Sequence, residues 1–80
     1  MVFYVFLFNK ERRYEMNKVL EGILEAIDDE IAAQKKYRAL KEQTDDKKAE
    51  ALFEQLIKDE ISHEELLRSR YEALKKYMED

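Results

Sequence analysis

Cysteine and proline are absent from this 80-residue chain, and Gly22 is its only glycine. Without cysteine the chain can have no disulfide, thiolate nucleophile or cysteine-ligated metal site, which is compatible with the expected cytoplasmic location. Without proline, and with one glycine, nothing interrupts long helix-permissive runs. We therefore expect an all-α chain, with a strand allowed only near the N-terminus.

The chain also lacks a basic surface and a long apolar segment. Its net charge is −4, and its lysines and arginines are mixed with acidic residues, so nucleic acid is not an expected partner. The longest apolar run, residues 1–8, has about a third of the length that a membrane-spanning helix needs. We therefore expect no membrane partner either.

Residues 1–15 differ in character from the rest of the chain and are expected to form an N-terminal leader before a helical domain, residues 16–80. One hypothesis is that Met16 is the natural start, because Glu11, Arg12 and Arg13 can be encoded by a purine-rich sequence resembling a bacterial ribosome-binding site. The alternative is an apolar arm that packs on a neighbouring subunit, since exposed aromatic residues would otherwise favour aggregation.

Two stretches carry apolar residues at intervals of three and four, which predicts two amphipathic helices. The first runs from about Asn17 to about Gln43, and the second follows Thr44, Asp45 and Asp46, whose side chains can cap it. A connection this short makes the helices antiparallel neighbours. The apolar positions are Leu20, Ile23, Leu24, Ile27, Ile31, Tyr37 and Leu40, and then Ala49, Leu52, Phe53, Leu56, Ile57, Leu67, Tyr71, Leu74 and Met78.

Three polar residues interrupt these stripes at one level of the predicted hairpin. Glu30 lies fifteen residues before Asp45, Glu60 lies fifteen residues after it, and His63 follows Glu60 by three. A buried carboxylate is costly unless something pairs with it, and a bound cation would do so. Two oxygen ligands and one imidazole suit iron, manganese or zinc. The alternative is an inter-helix ion pair without metal.

A hairpin of this size buries too little surface to be very stable alone, so a homodimer or higher homo-oligomer is expected. Two hairpins packed face to face would form a four-helix bundle. Such a bundle would bring together two copies of each of the three polar residues. In ferritin-like carboxylate-bridged sites, two helices each give a Glu and two each give a Glu-x-x-His.

The pattern of Glu30, Tyr37 and Asp59-Glu60-x-x-His63 resembles the ferritin-like superfamily, nearest to rubrerythrin-type domains and the encapsulated ferritins. The similarity extends from Leu20 to about Tyr77. It implies a ferroxidase that oxidises Fe(II) with oxygen or peroxide at a site shared by two subunits, with two irons per dimer interface. Glu30, Glu60 and His63 would be its metal-binding and catalytic residues.

Two further residues lie on the same stripe as Glu30. Gln34, one turn later, is expected to orient Glu30 or simply to be a polar bundle residue. Tyr37 is expected either to serve as a hydrogen-bond donor or redox-active phenol beside the site, or to pack in the bundle.

Two features separate this chain from the proteins that it resembles. Encapsulated ferritins usually carry a C-terminal tail that addresses them to a protein shell, but this chain ends Lys-Lys-Tyr-Met-Glu-Asp, without such a signal. Peroxidase rubrerythrins usually carry a cysteine-rich iron domain, so a rubrerythrin-like peroxidase here would need an external reductant. A non-catalytic helical hairpin that serves as an interaction module without metal is the other alternative.

Overall fold

The computed structural model describes the backbone of residues 2–79 and the side chains of residues 13–78. Two helices, α1 (Val2–Gln43) and α2 (Lys47–Glu79), pack side by side as a hairpin, and the described backbone has no strand. The predicted all-α hairpin is confirmed, while its dimerisation stays a prediction. Within the described residues, neither helix combines the length and apolar character needed to cross a bilayer.

Helix α1 begins well before the predicted position. It starts at Val2 rather than near Asn17, and its 42 residues exceed the 33 of α2. The apolar stripe identifies only the part of a helix that packs on a neighbour, whereas the helix itself continues because no proline or glycine precedes Gly22. The side chains of the apolar run, residues 1–8, lie outside the described ones, so both hypotheses on the leader stay predictions.

The connection between the helices occupies the three residues predicted for it, Thr44, Asp45 and Asp46. Thr44 Oγ1 accepts a 3.1 Å hydrogen bond from the Asp46 amide, and Asp46 Oδ1 accepts one of 3.4 Å from the Lys48 amide. Asp46 therefore caps α2 by satisfying an amide that has no partner inside the helix. This tight, capped connection keeps the two helices antiparallel.

The two helices alone enclose very little core. The molecule measures 67 × 15 × 15 Å, and of the described side chains only Ile27 and Gln34 are buried. Most stripe residues are half-buried between the helices, and several large apolar residues remain exposed. These are Tyr14, Val19, Leu24, Leu52, Leu66 and Tyr77. The hairpin thus leaves much apolar surface in contact with water.

Candidate metal centre

Glu30 from α1 and Glu60 and His63 from α2 come together between the two helices. Each side chain offers one possible ligand atom, and these three atoms all lie within 4.8 Å of one another. His63 Nδ1 is 3.6 Å from Glu30 Oε2 and 3.6 Å from Glu60 Oε2. Both separations are longer than a direct hydrogen bond. The structure therefore brings the three predicted ligands into one group without bonding them to one another.

Helix geometry explains why this group forms. Glu60 and His63 are three residues apart on α2, so their side chains share one face. Side chains on a helix lean towards its N-terminus. Because the helices are antiparallel, Glu30 leans away from the connection while Glu60 and His63 lean towards it. Glu30 and His63, which lies farther from the connection than Glu60, therefore lean towards each other across the hairpin.

The two carboxylates of this group are largely withdrawn from water. The side chains of Glu30 and Glu60 are 21% and 18% exposed, whereas that of His63 is 56% exposed. Glu30 Oε2 is buried and has no hydrogen-bond partner. An unpartnered buried oxygen of a carboxylate is energetically costly. A cation held by Glu30, Glu60 and His63 would remove that cost, so the donors present fit a metal ion.

A second polar group, the Gln34–Glu64–Arg68 network, lies beside the three ligands. Buried Gln34 donates a 2.7 Å hydrogen bond from Nε2 to Glu64 Oε1, and Arg68 Nε donates one of 2.8 Å to Glu64 Oε2. The hydrogen bond from Gln34, and then that from Arg68, lowers the pKa of Glu64 from its ordinary value. Glu64 is thus held as a carboxylate.

This network bears on the two alternatives for Gln34. Its amide binds Glu64 on the other helix, which favours a polar bundle residue over one that orients Glu30. Arg68 was not identified from the sequence at all. The four-residue spacing of Glu64 and Arg68, which favours an ion pair on a helix surface, was the available signal.

Tyr37, the other residue predicted beside the site, contacts an aromatic ring. Its ring stacks on that of Phe53, with centroids 6.4 Å apart and an angle of 18° between the ring planes. Both residues are half-buried. This contact favours the packing alternative for Tyr37.

The chain matches a known protein family. The family model described as Rubrerythrin matches residues 7–79, a range that contains Glu30, Glu60 and His63. No curated protein and no solved structure matches the chain.

Proposed function

The chain belongs to the rubrerythrin family, and from that premise we propose that it is a ferroxidase whose di-iron centre forms between two copies of the chain. Family membership supports a ferritin-like protein that binds iron. The observation that carries the proposal is the convergence of Glu30, Glu60 and His63 around an unpartnered buried oxygen. Carboxylate and imidazole ligands together suit iron in both of its common oxidation states.

One hairpin offers only half of the ligands that such a centre uses. Ferritin-like di-iron centres draw a Glu from each of two helices and a Glu-x-x-His from each of two others. In this chain Glu30 supplies the first element, and Glu60 with His63 supplies the second. A second hairpin would supply the same elements again. We therefore assign the complete centre to a homodimer, with about one iron per chain.

The surface around His63 supports this assembly. His63 is more than half exposed, and Leu66, three residues later on the same face of α2, is 69% exposed. A second hairpin placed over this face would bury both residues. It would also enclose the centre from four sides and provide the core that a single hairpin lacks.

The residues of the chain have distinct roles in the proposed reaction. Two Fe(II) ions, the substrate, each release one electron, and one O2 takes up both electrons and two protons to become hydrogen peroxide. Glu30 and Glu60 bind the ions as carboxylates, and His63 contributes a neutral nitrogen. Binding needs all three ligands deprotonated, so iron affinity should fall as the pH decreases.

An anaerobic titration with Fe(II), followed by addition of oxygen, tests the proposal. The wild type should bind about one iron per chain and oxidise it rapidly. Glu60→Ala and His63→Ala should lose both properties, whereas Glu65→Ala, at an exposed neighbouring position, should keep them. Iron oxidation by the first two variants at the rate of the wild type would refute the proposal.

A second candidate is the non-catalytic hairpin, in which His63 pairs with both carboxylates and no metal binds. The equal distances of 3.6 Å from His63 Nδ1 to Glu30 and to Glu60 favour it. If this candidate is correct, addition of a chelator will change neither the melting temperature nor the assembly state. A metal that joins two hairpins would make both of them depend on metal.

A further inference from the structure

The Gln34–Glu64–Arg68 network lies one helical turn from the ligands on each helix. Gln34 follows Glu30 by four residues, and Glu64 follows Glu60 by four residues. Side chains at this spacing are neighbours on a helix surface. Glu64 is therefore a third carboxylate beside the metal centre, yet it is not one of the three side chains whose ligand atoms converge.

Each oxygen of Glu64 already accepts a hydrogen bond from another side chain. Oε1 accepts from Gln34 at 2.7 Å, and Oε2 accepts from Arg68 at 2.8 Å. Hydrogen bonds between charged groups are among the strong ones, and the positive charge of Arg68 compensates that of the carboxylate. Gln34 is only 6% exposed, so its amide would lose its partner if Glu64 turned away, without water to replace it.

We propose that this network withholds Glu64 from the metal centre and so fixes the ligand set at two carboxylates and one imidazole per chain. The inference rests on the proposed function. In a dimer, the four carboxylates from Glu30 and Glu60 match the four positive charges of two Fe(II) ions. Two further free carboxylates would give the centre excess negative charge, which would hold the Fe(III) product more tightly.

Arg68 can be changed without disturbing the core, because its side chain is 55% exposed. Arg68→Gln removes the positive charge and leaves Glu64 free to turn towards the ligands. Arg70→Gln removes the same charge from another exposed position on α2 and is the matched control. Glu64→Gln, alone and combined with Arg68→Gln, shows whether any effect depends on the carboxylate of Glu64.

The experiment is a titration of each variant with Co(II) chloride, followed by visible absorption, with circular dichroism to verify helix content. We expect Arg68→Gln to bind Co(II) about tenfold more tightly than the wild type and to change the absorption spectrum, since groups beside the ligands typically alter metal affinity by about 10- to 100-fold. Arg70→Gln, Glu64→Gln and the double variant should match the wild type.

Each contrary result has a separate meaning. Weaker Co(II) binding by Glu64→Gln would show that Glu64 is already a ligand and would overturn the inference. The same affinity in Arg68→Gln and Arg70→Gln would also overturn it, while leaving the proposed function intact. Absence of Co(II) binding by the wild type would overturn the proposed function, and the inference with it.

Discussion

Glu30 and His63 face each other from different helices, with Glu30 Oε2 3.6 Å from His63 Nδ1. The two residues meet only when α1 and α2 are packed in the correct register. A metal ion bound between them would therefore bind the folded hairpin in preference to the unfolded chain. Metal binding and folding should thus be coupled in this protein.

Replacement of Glu30 should separate stability from metal binding. Without metal, Glu30→Leu should raise the free energy of unfolding by about 1–2 kcal/mol, because it removes an unpartnered buried oxygen. With Co(II) at about 100 times its dissociation constant, the free energy of unfolding of the wild type should rise by about 2.7 kcal/mol, and that of the variant by much less. Urea denaturation with chelator and with Co(II) measures both effects. Glu25→Leu, at an exposed position, is the control. If Glu30→Leu were less stable than the wild type in the absence of metal, the prediction would be wrong.

Leu66 should contribute to the dimer interface. Its side chain is 69% exposed in the single hairpin, on the same face as His63. If the second hairpin covers it, Leu66→Glu should weaken dimerisation by about 100- to 10,000-fold, since burial of a leucine side chain contributes about 1.5–3 kcal/mol and a homodimer buries two copies. Analytical ultracentrifugation over a range of concentrations measures this change. Leu66→Met should dimerise nearly as well as the wild type, and equal dimerisation of the Glu and Met variants would place the interface elsewhere.

Tyr37 should act through packing rather than chemistry. Tyr37→Phe preserves the ring that stacks on Phe53, so the variant should bind and oxidise iron like the wild type. Tyr37→Ala removes the ring and should lower the free energy of unfolding by about 1–3 kcal/mol, less than for a fully buried aromatic residue. Stopped-flow iron oxidation and urea denaturation give the two readouts. Slow oxidation by Tyr37→Phe would instead assign a chemical role to the hydroxyl.

Ionisation of Glu64 should make the free energy of unfolding depend on pH. Its pKa is lowered in the folded chain, first by the hydrogen bond from Gln34 and then by that from Arg68. The stability that its ionised form gives is therefore fully present above its ordinary pKa of 4.5 and is lost as the pH falls below that value. The advantage of the wild type over Glu64→Gln should shrink between about pH 6 and pH 3. Urea denaturation at several pH values tests this, with Glu65→Gln as an exposed control; a constant difference would contradict it.

The hairpin and the grouping of Glu30, Glu60 and His63 could be predicted from the sequence because both follow from the spacing of residues along the chain. Apolar residues at intervals of three and four define the packed faces, and equal distances from Asp45 place the two glutamates at one level. The structure adds the separations between the three ligands and the burial of Glu30 Oε2. The separations and the burial depend on how closely the two helices approach each other, which the spacing of residues along the chain does not determine.

Two features could not be predicted in this way. The start of α1 was misplaced because periodicity reports packing against a neighbour, whereas helix formation needs only the absence of interruptions. The partner of Gln34 was missed because its position on the stripe of Glu30 does not determine which residue of α2 its amide reaches. That choice depends on the axial offset of the two helices and on the direction in which each side chain leans.

The three-residue connection, Thr44 to Asp46, also sets the kinetic order of assembly. Four separate helices would have to find one another to build a four-helix centre. Here the tether joins the helices in pairs, so that the ligands of α1 and α2 meet at a high effective concentration. In the proposed homodimer, formation of the centre would then be a bimolecular event whose rate depends on the square of the chain concentration.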